Sequence, residues 1–198
     1  MIKREDITAV ILAGGRGKRM GGADKGLVEF EGHPLIAHAI ELVTPLVKTL
    51  LISANRNLMR YQQFGYPVVT DSLSKFQGPL AGILAAMETV RTPYILTLPC
   101  DGPRLPVDLV ERLANALQRE EARVAVAHDG QRRQSTYALI PVDLKQHLRN
   151  FLANGDRKLG LWLESHRLAQ ADYSDTPSVF ANINSEMDKQ RLLMERDA

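Results

Sequence analysis

Apolar positions along this chain fall into two alternating kinds of segment. Short, nearly continuous apolar runs occur at Ile7 to Ala13, Thr49 to Ser53, Pro67 to Thr70, Tyr94 to Pro99 and Val124 to Ala127, and these have the length of buried strands. Between them apolar residues recur at helical spacing: Leu35, Ile36, Ala39, Ile40 and Val43, then Leu80, Ile83, Leu84 and Met87, then Leu109, Leu113 and Leu117. Pro106 is read as the start of the last of these helices. The alternation predicts an α/β fold, a single Rossmann-like domain with a mainly parallel central sheet and helices on both faces. After Ala127 the pattern loosens. Ser135 to Ile140 and Val179 to Ile183 read as strands, Leu159 to Glu164 as a helix between them, and Glu186 to Glu195 as a surface helix. There is no internal repeat, low-complexity tract or linker, so the leucine, isoleucine and methionine stripes are assigned to the core.

Composition narrows the class. A chain of 198 residues fits one domain, since domains typically hold about 100–200. Its charge of +2 is close to balance, which argues against a polybasic surface for nucleic acid or membrane. No apolar stretch approaches the ~20 residues needed to span a bilayer. Lys3-Arg4 followed by an apolar run superficially matches a signal segment. Glu5 and Asp6 interrupt the basic part, however, and the run is about as short as such segments get, so it reads as a first buried strand. The single cysteine, Cys100, excludes an intrachain disulfide and suits a reducing compartment, so a cytoplasmic location is expected.

The chemistry starts where the first strand ends. Ile7 to Ala13 runs directly into Gly14-Gly15-Arg16-Gly17-Lys18-Arg19-Met20-Gly21-Gly22-Ala23-Asp24-Lys25, which holds five glycines and four basic residues. Without side chains, backbone N–H groups approach a ligand closely, and successive ones form an anion-binding concavity. The segment therefore reads as a phosphate loop. It is not a Walker A loop, because Gly17 and Gly22 have that spacing but Ala23-Asp24 follows instead of Lys and Ser or Thr. Nor is it a dinucleotide fingerprint, because Met20 stands where the third glycine belongs. In an open parallel sheet, ligands sit beyond the carboxyl ends of the strands, the edge that this loop occupies.

Other strand ends carry polar residues. Asp101 closes the run Ile95 to Cys100, where a carboxylate meets a phosphate-bound Mg²⁺; that ion takes one or two carboxylates together with waters and phosphates. Asp101 also suits the turn Asp101-Gly102-Pro103. Asp71 follows another strand, and Gly78-Pro79-Leu80-Ala81-Gly82 opens a helix with proline and small residues near its start. Asp71-Ser72 is equally a capping sequence. Ser53-Ala54-Asn55-Arg56 follows the second strand. Asn182 and Asn184, two apart on an expected strand, would face the same side, although Asn184 or Ser185 would also cap the final helix. The five histidines lack metal-ligand spacing, no Gly-x-Ser-x-Gly elbow occurs, and Cys100 is read as a small packing residue.

The pattern Leu12-Ala13-Gly14-Gly15-x-x-x-Arg19-Met20-Gly21-x-x-Lys25 resembles the signature of the nucleotidyltransferases that activate sugars and cofactors. Arg19-Met20-Gly21-Gly22 followed by Asp24-Lys25-Gly26 is most similar to the molybdenum cofactor guanylyltransferases, and so is Leu98-Pro99-Cys100-Asp101-x-Pro103. That family usually has a residue larger than Gly102 in the second motif and often Asn where Ser53 stands.

The resemblance implies a nucleotide-diphospho-sugar transferase fold with a nucleotide-binding half over about 1–105 and an acceptor half over about 106–198. It implies transfer of GMP from GTP to the terminal phosphate of molybdopterin, giving molybdopterin guanine dinucleotide and pyrophosphate. The implied nucleotide site comprises Leu12, Ala13, Gly14, Gly15, Lys25, Asp71, Gly78 and Asp101, with Ser53 or Asn55 at the base. Arg19 and Lys25 would stabilise the leaving pyrophosphate. Asp101 and Asn184 would hold Mg²⁺, with Mn²⁺ as the alternative metal. Asn182, Asn184, Arg157 and Lys158 would lie on the pterin side. Molybdenum-insertion proteins and molybdoenzyme apoproteins or their chaperones are the further partners implied. The rivals are a cytidylyltransferase for the same cofactor, a sugar-phosphate nucleotidyltransferase, and a non-catalytic module that binds GTP or molybdopterin. Gly14 favours guanine by resemblance, because cytidylyl enzymes commonly carry Leu-Ala-Ala-Gly.

Overall fold

The computed structural model describes residues 2–13, 24–71 and 78–195. Strand β1 (Ile7–Leu12) has five of its six residues buried, as befits a strand covered on both faces. Strands β4 (Thr49–Ser53) and β6 (Tyr94–Pro99) flank it, both parallel, and β5 (Val68–Val69) lies parallel outside β4. On the other side, β8 (Arg133–Pro141) pairs antiparallel with both β6 and β7 (Val124–His128), and β9 (Leu168–Asp172) runs parallel to β7. The seven-stranded order is β5-β4-β1-β6-β8-β7-β9. The expected mainly parallel sheet is therefore present, with β8 reversed within it. A small hairpin, β2 (Glu29–Phe30) with β3 (His33–Pro34), stands apart.

Pleating divides the core. Ile7, Ala9 and Ile11 of β1 face one side, together with α1 (Leu35–Val43), Tyr61 of α2 (Leu58–Gln62) and α4 (Leu109–Arg119). Val10 faces the other side, packed with α3 (Pro79–Thr89), α5 (Lys145–Ala153) and α6 (Leu159–Glu164), whose Trp162 is fully buried. Helices thus cover both faces, as the periodicity predicts. Among the described residues no helix is long and apolar enough to cross a membrane.

Two expectations require correction. Val179 to Ile183 is not a strand. Pro177–Phe180 forms a 3₁₀ turn with proline at its start, and Phe180 is drawn into edge-on contact with Tyr137 and Tyr173. Asn182 and Asn184 therefore do not alternate on a sheet face. Pro106 does not begin α4 either. Its carbonyl accepts from Leu109 N at 3.2 Å, so it closes a turn before the helix, and Asp108 occupies the cap position. The periodicity also passes over α2, α5 and β9. In β9 only the two alanines are fully buried, too small an apolar signal to stand out.

β1 is the hinge of the topology. The chain leaves it to build β4 and β5 on one side and later returns to place β6 on the other. Adjacent strands whose connections depart in opposite directions leave a crevice at their carboxyl ends, the switch point of an open α/β sheet. Thr97 of β6, fully buried, donates its hydroxyl to Thr136 O at 2.9 Å, so a side chain continues the link to β8 beside the end of the ladder at Thr97↔Ala138.

The final helix, α7 (Glu186–Met194), is capped by Ser185, whose Oγ accepts from Asp188 N at 3.2 Å. Asp188 in turn accepts from the Ser185 hydroxyl and from Asn184 N, bonds that hold its carboxyl below the usual carboxylate range. Ser185→Ala should therefore cost about 1 kcal/mol in urea unfolding at neutral pH. A depressed acid contributes stability above its unfolded pKa and loses it as pH falls. The gap between the variant and the parent chain should therefore narrow below about pH 4; a gap that widens in acid would contradict this capping scheme.

Candidate active site

The site is built outward from the end of β1. Leu12 pairs with Ser53 on one side and Pro99 on the other. Ala13 N then donates to Ser53 O at 2.8 Å, and Cys100 N donates to Leu12 O at 3.3 Å. Leu12 and Ala13 are thereby wedged between the loops that follow β4 and β6. Gly14, Gly15 and Arg19 lie outside the described residues.

Lys25 opens a 3₁₀ turn, Lys25–Leu27, and sends its side chain back across the crevice. Its ammonium donates to Asp101 Oδ2 at 3.0 Å and to Asn184 Oδ1 at 2.5 Å. The Asp101 side chain is only 12% exposed and that of Lys25 24%, so this pair is screened far less than one on the open surface. Ile183 N donates to the backbone carbonyl of Asp101 at 2.9 Å, which fastens the segment carrying Asn184 to the end of β6. Because Ser185 caps α7, the Asn184 amide is left for Lys25. Three expected site residues are thus brought together: Lys25, Asp101 and Asn184.

Asn182 lies beside them in another role. Its Oδ1 is buried without a hydrogen-bond partner, as is the hydroxyl of Tyr137. Both converge on Gly102. A Cβ there would stand 2.2 Å from Tyr137 Oη and 3.3 Å from Asn182 Oδ1. This close approach leaves no room for a side chain at Gly102.

The remaining candidates occupy the flanks. Asn55 and Asp71 bind each other reciprocally, Asn55 Nδ2 donating to Asp71 Oδ2 at 2.6 Å and Asp71 N to Asn55 Oδ1 at 3.1 Å. Ser53 is buried under α3, and a Cβ on Gly82 would fall 2.2 Å from its Oγ. Asn55 is therefore the more open of the two residues left as alternatives at the base. Gly78 stands near the segment that follows α5, since its Cβ would lie 3.5 Å from the carbonyl oxygen of Arg157. The Arg157 guanidinium turns onto the carbonyl oxygens of Leu152 and Asp156, each at 2.6 Å, closing the end of α5. Lys158 occupies the cap position of α6. Burial, and then the neighbouring Asp101, push the Cys100 thiol well above its ordinary range, so it stays protonated and acts in packing.

Sequence reasoning passed over Tyr137 and Tyr61, whose roles come from contacts made at long range. Among the described residues, no group of three or more His, Cys, Asp or Glu side chains is placed to hold a metal. What the site does offer is one carboxylate oxygen and one amide oxygen already converged on a single cation, the Lys25 ammonium.

A partly buried cationic junction thus stands at the switch point of a Rossmann-like sheet, and comparison with known proteins shows the class to be nucleotidyltransferase. Residues 9–171 match the MobA-like NTP transferase domain. A molybdenum cofactor guanylyltransferase of Shewanella sediminis is 48% identical over 186 residues, covering 94% of this chain and 95% of that one. This chain belongs to the molybdenum cofactor guanylyltransferase family. The same fold recurs in the molybdopterin-guanine dinucleotide biosynthesis protein A of Archaeoglobus fulgidus, at TM-score 0.74 and 22% identity over 93% of this chain and 95% of that one. It recurs also in a Mycobacterium tuberculosis protein solved in complex with manganese, at TM-score 0.72 and 15% identity over 97% of this chain and 100% of that one.

Gly102→Ala should cost roughly 1–3 kcal/mol by overpacking against the Tyr137 hydroxyl, and less when combined with Tyr137→Phe. Alone, Tyr137→Phe should be neutral or stabilising, because it removes a buried hydroxyl that has no partner. Denaturant melts of the three variants test the coupling, and simple additivity would refute it.

Proposed function

We propose that this enzyme transfers the GMP moiety of GTP to the terminal phosphate of molybdopterin, giving molybdopterin guanine dinucleotide and pyrophosphate. The observation that carries the reading is the Lys25–Asp101–Asn184 junction at the carboxyl end of β6. An oxygen of the acceptor phosphate attacks the α-phosphorus of GTP in line. The bond from that phosphorus to the bridging oxygen breaks, and pyrophosphate leaves with the electron pair. A phosphate monoester is already ionised at neutral pH, so the attack needs no general base. Chemistry of this kind relies on positioning and on neutralising charge.

The residues divide the work by location. Leu12, Ala13, Gly14 and Gly15 line the nucleotide, and Asp71, Gly78 and Ser53 or Asn55 flank it. Arg19 and Lys25 counter the charge that grows on pyrophosphate. Asn182, Arg157 and Lys158 serve the acceptor side, so that about 1–105 forms the nucleotide half and about 106–198 the acceptor half. Asp101 and Asn184 would hold Mg²⁺, or Mn²⁺ in its place, because the two oxygens that hold the Lys25 ammonium in the unliganded chain suit an ion that keeps waters and phosphates as its other ligands, the ammonium passing to the triphosphate when substrate binds. When bound, the ion neutralises developing phosphate charge. The partners are GTP and molybdopterin, followed by molybdenum-insertion proteins and apoproteins or their chaperones. The reaction belongs in the cytoplasm, with no nucleic acid or membrane involved.

Pyrophosphate release with molybdopterin as acceptor, measured with each nucleoside triphosphate in turn, tests the assignment. GTP should exceed CTP and ATP by at least ~100-fold in kcat/KM, because a site built to bond a base edge leaves its own polar groups unpaired with the wrong base. Equal turnover of CTP would replace the guanine reading with the cytidylyl one. Asp101→Ala should lower turnover by orders of magnitude while the fold is retained, since it removes metal-borne charge stabilisation worth several kcal/mol. Near-normal turnover of that variant at saturating Mg²⁺ would overturn the metal assignment.

A further inference from the structure

One residue before Lys25, Asp24 is held by three groups from a different part of the chain. Its Oδ1 accepts from the Tyr61 hydroxyl at 2.5 Å, and its Oδ2 accepts from Asn57 Nδ2 at 2.8 Å. Arg56 Nε lies 3.4 Å from the same Oδ2. The Asp24 side chain is only 5% exposed and Tyr61 is fully buried, so a carboxylate has been taken out of water and given partners there. Asn57 is diverted to do this. It sits at the cap position of α2 yet makes no side-chain cap, and its backbone is left-handed, with φ at 52°. An asparagine ahead of a helix would ordinarily use its amide on the helix N–H groups. Gly26 completes the arrangement. A Cβ there would stand 2.6 Å from Tyr61 Oη and 3.3 Å from Cys100 Sγ, so the turn bearing Lys25 is pressed against α2 and the end of β6.

We infer that Asp24, clamped by Tyr61, Asn57 and Arg56, is the positioning residue that sets the Lys25 ammonium against Asp101 and Asn184. Lysine is a flexible point charge on a four-carbon stem, and its reach is defined only if the backbone under it is fixed. The junction with Asp101 and Asn184 fixes the far end of that side chain, and the clamp fixes the near end. The clamp residues lie on the segment that runs on from Ser53 and Asn55, so the loop flanking the nucleotide also carries the anchor of the phosphate-facing lysine. This inference rests on the reading of Lys25 as the group that meets the triphosphate.

The test is a mutant cycle on the intact chain. Tyr61→Phe removes one hydroxyl and keeps the ring in the core. It should lower kcat about tenfold with KM for the triphosphate within about twofold, the pattern of an interaction expressed in the transition state. In a chain that already carries Lys25→Ala, the same change should have no further effect. Equal losses in both backgrounds, or a loss confined to KM, would overturn the clamp, because a merely structural tyrosine acts independently of Lys25. The cycle is run with whichever triphosphate the parent chain turns over. A preference for CTP would therefore defeat the guanine reading while the cycle still decides the clamp. A second measurement needs no turnover: acylation of Lys25 in the unliganded protein, followed by mass spectrometry. Tyr61→Phe and Asp24→Asn should each raise the rate at Lys25 about tenfold relative to Lys48, in line with the loss of a charge-assisted bond. An unchanged ratio in Tyr61→Phe would overturn the inference even if Asp24→Asn fails to fold.

Discussion

The site depends on one partly buried ammonium. Lys25 reaches from the turn after the glycine-rich segment to the end of β6 and to the approach of α7, meeting Asp101 at 3.0 Å and Asn184 at 2.5 Å. A charge withdrawn from water is tolerated only when its partners are in place. Any one of the three segments left out of position would strand a charge or an amide. The requirement therefore locks together parts of the chain that are 76 and 159 residues apart. The backbone bond from Ile183 N to Asp101 O and the Ser185 cap act in the same sense, fixing the Asn184 arm and freeing its amide for the lysine.

The sheet provides the frame for that junction. Parallel strands β1, β4 and β6 end at one edge, and the change of direction about β1 opens a crevice there. The crevice is then narrowed by close packing, of the turn at Gly26 against Tyr61 and of the backbone at Gly102 against Tyr137. The segment after α5 also approaches this edge, where an added Cβ on Gly78 would lie 3.5 Å from the Arg157 carbonyl oxygen. The Arg157 guanidinium ends α5 by binding the Leu152 carbonyl.

Much of this was legible from residue types alone where the signal was local. The parallel runs at β1, β4, β6 and β7 and the helices α1, α3, α4 and α6 follow from periodicity, because each is made by neighbouring positions burying a common face. The weaker reading of the chain after Ala127 has a physical source. The only fully buried residues of β9 are alanines. Val179 to Ile183 has strand-like composition, but Pro177 and the pull of Phe180 toward Tyr137 and Tyr173 draw its start into the 3₁₀ segment Pro177–Phe180. Tertiary packing overrides local propensity where the segment is short and its anchor is aromatic.

By itself, then, the sequence determined the α/β class, the family, and the candidate residues Lys25, Asp101 and Asn184. Each of these is written in local order: a strand, the glycines after it, a carboxylate at a strand end, an asparagine before a helix. Only the tertiary structure decided which of them meet. It joined Lys25 to Asp101 and Asn184, paired Asn55 with Asp71, buried Ser53 beneath α3, and set Tyr61 and Asn57 on Asp24. These contacts depend on how far one strand end lies from another and on how closely a helix packs over it. Such distances are set by the whole sheet and are not encoded in the spacing of any one motif.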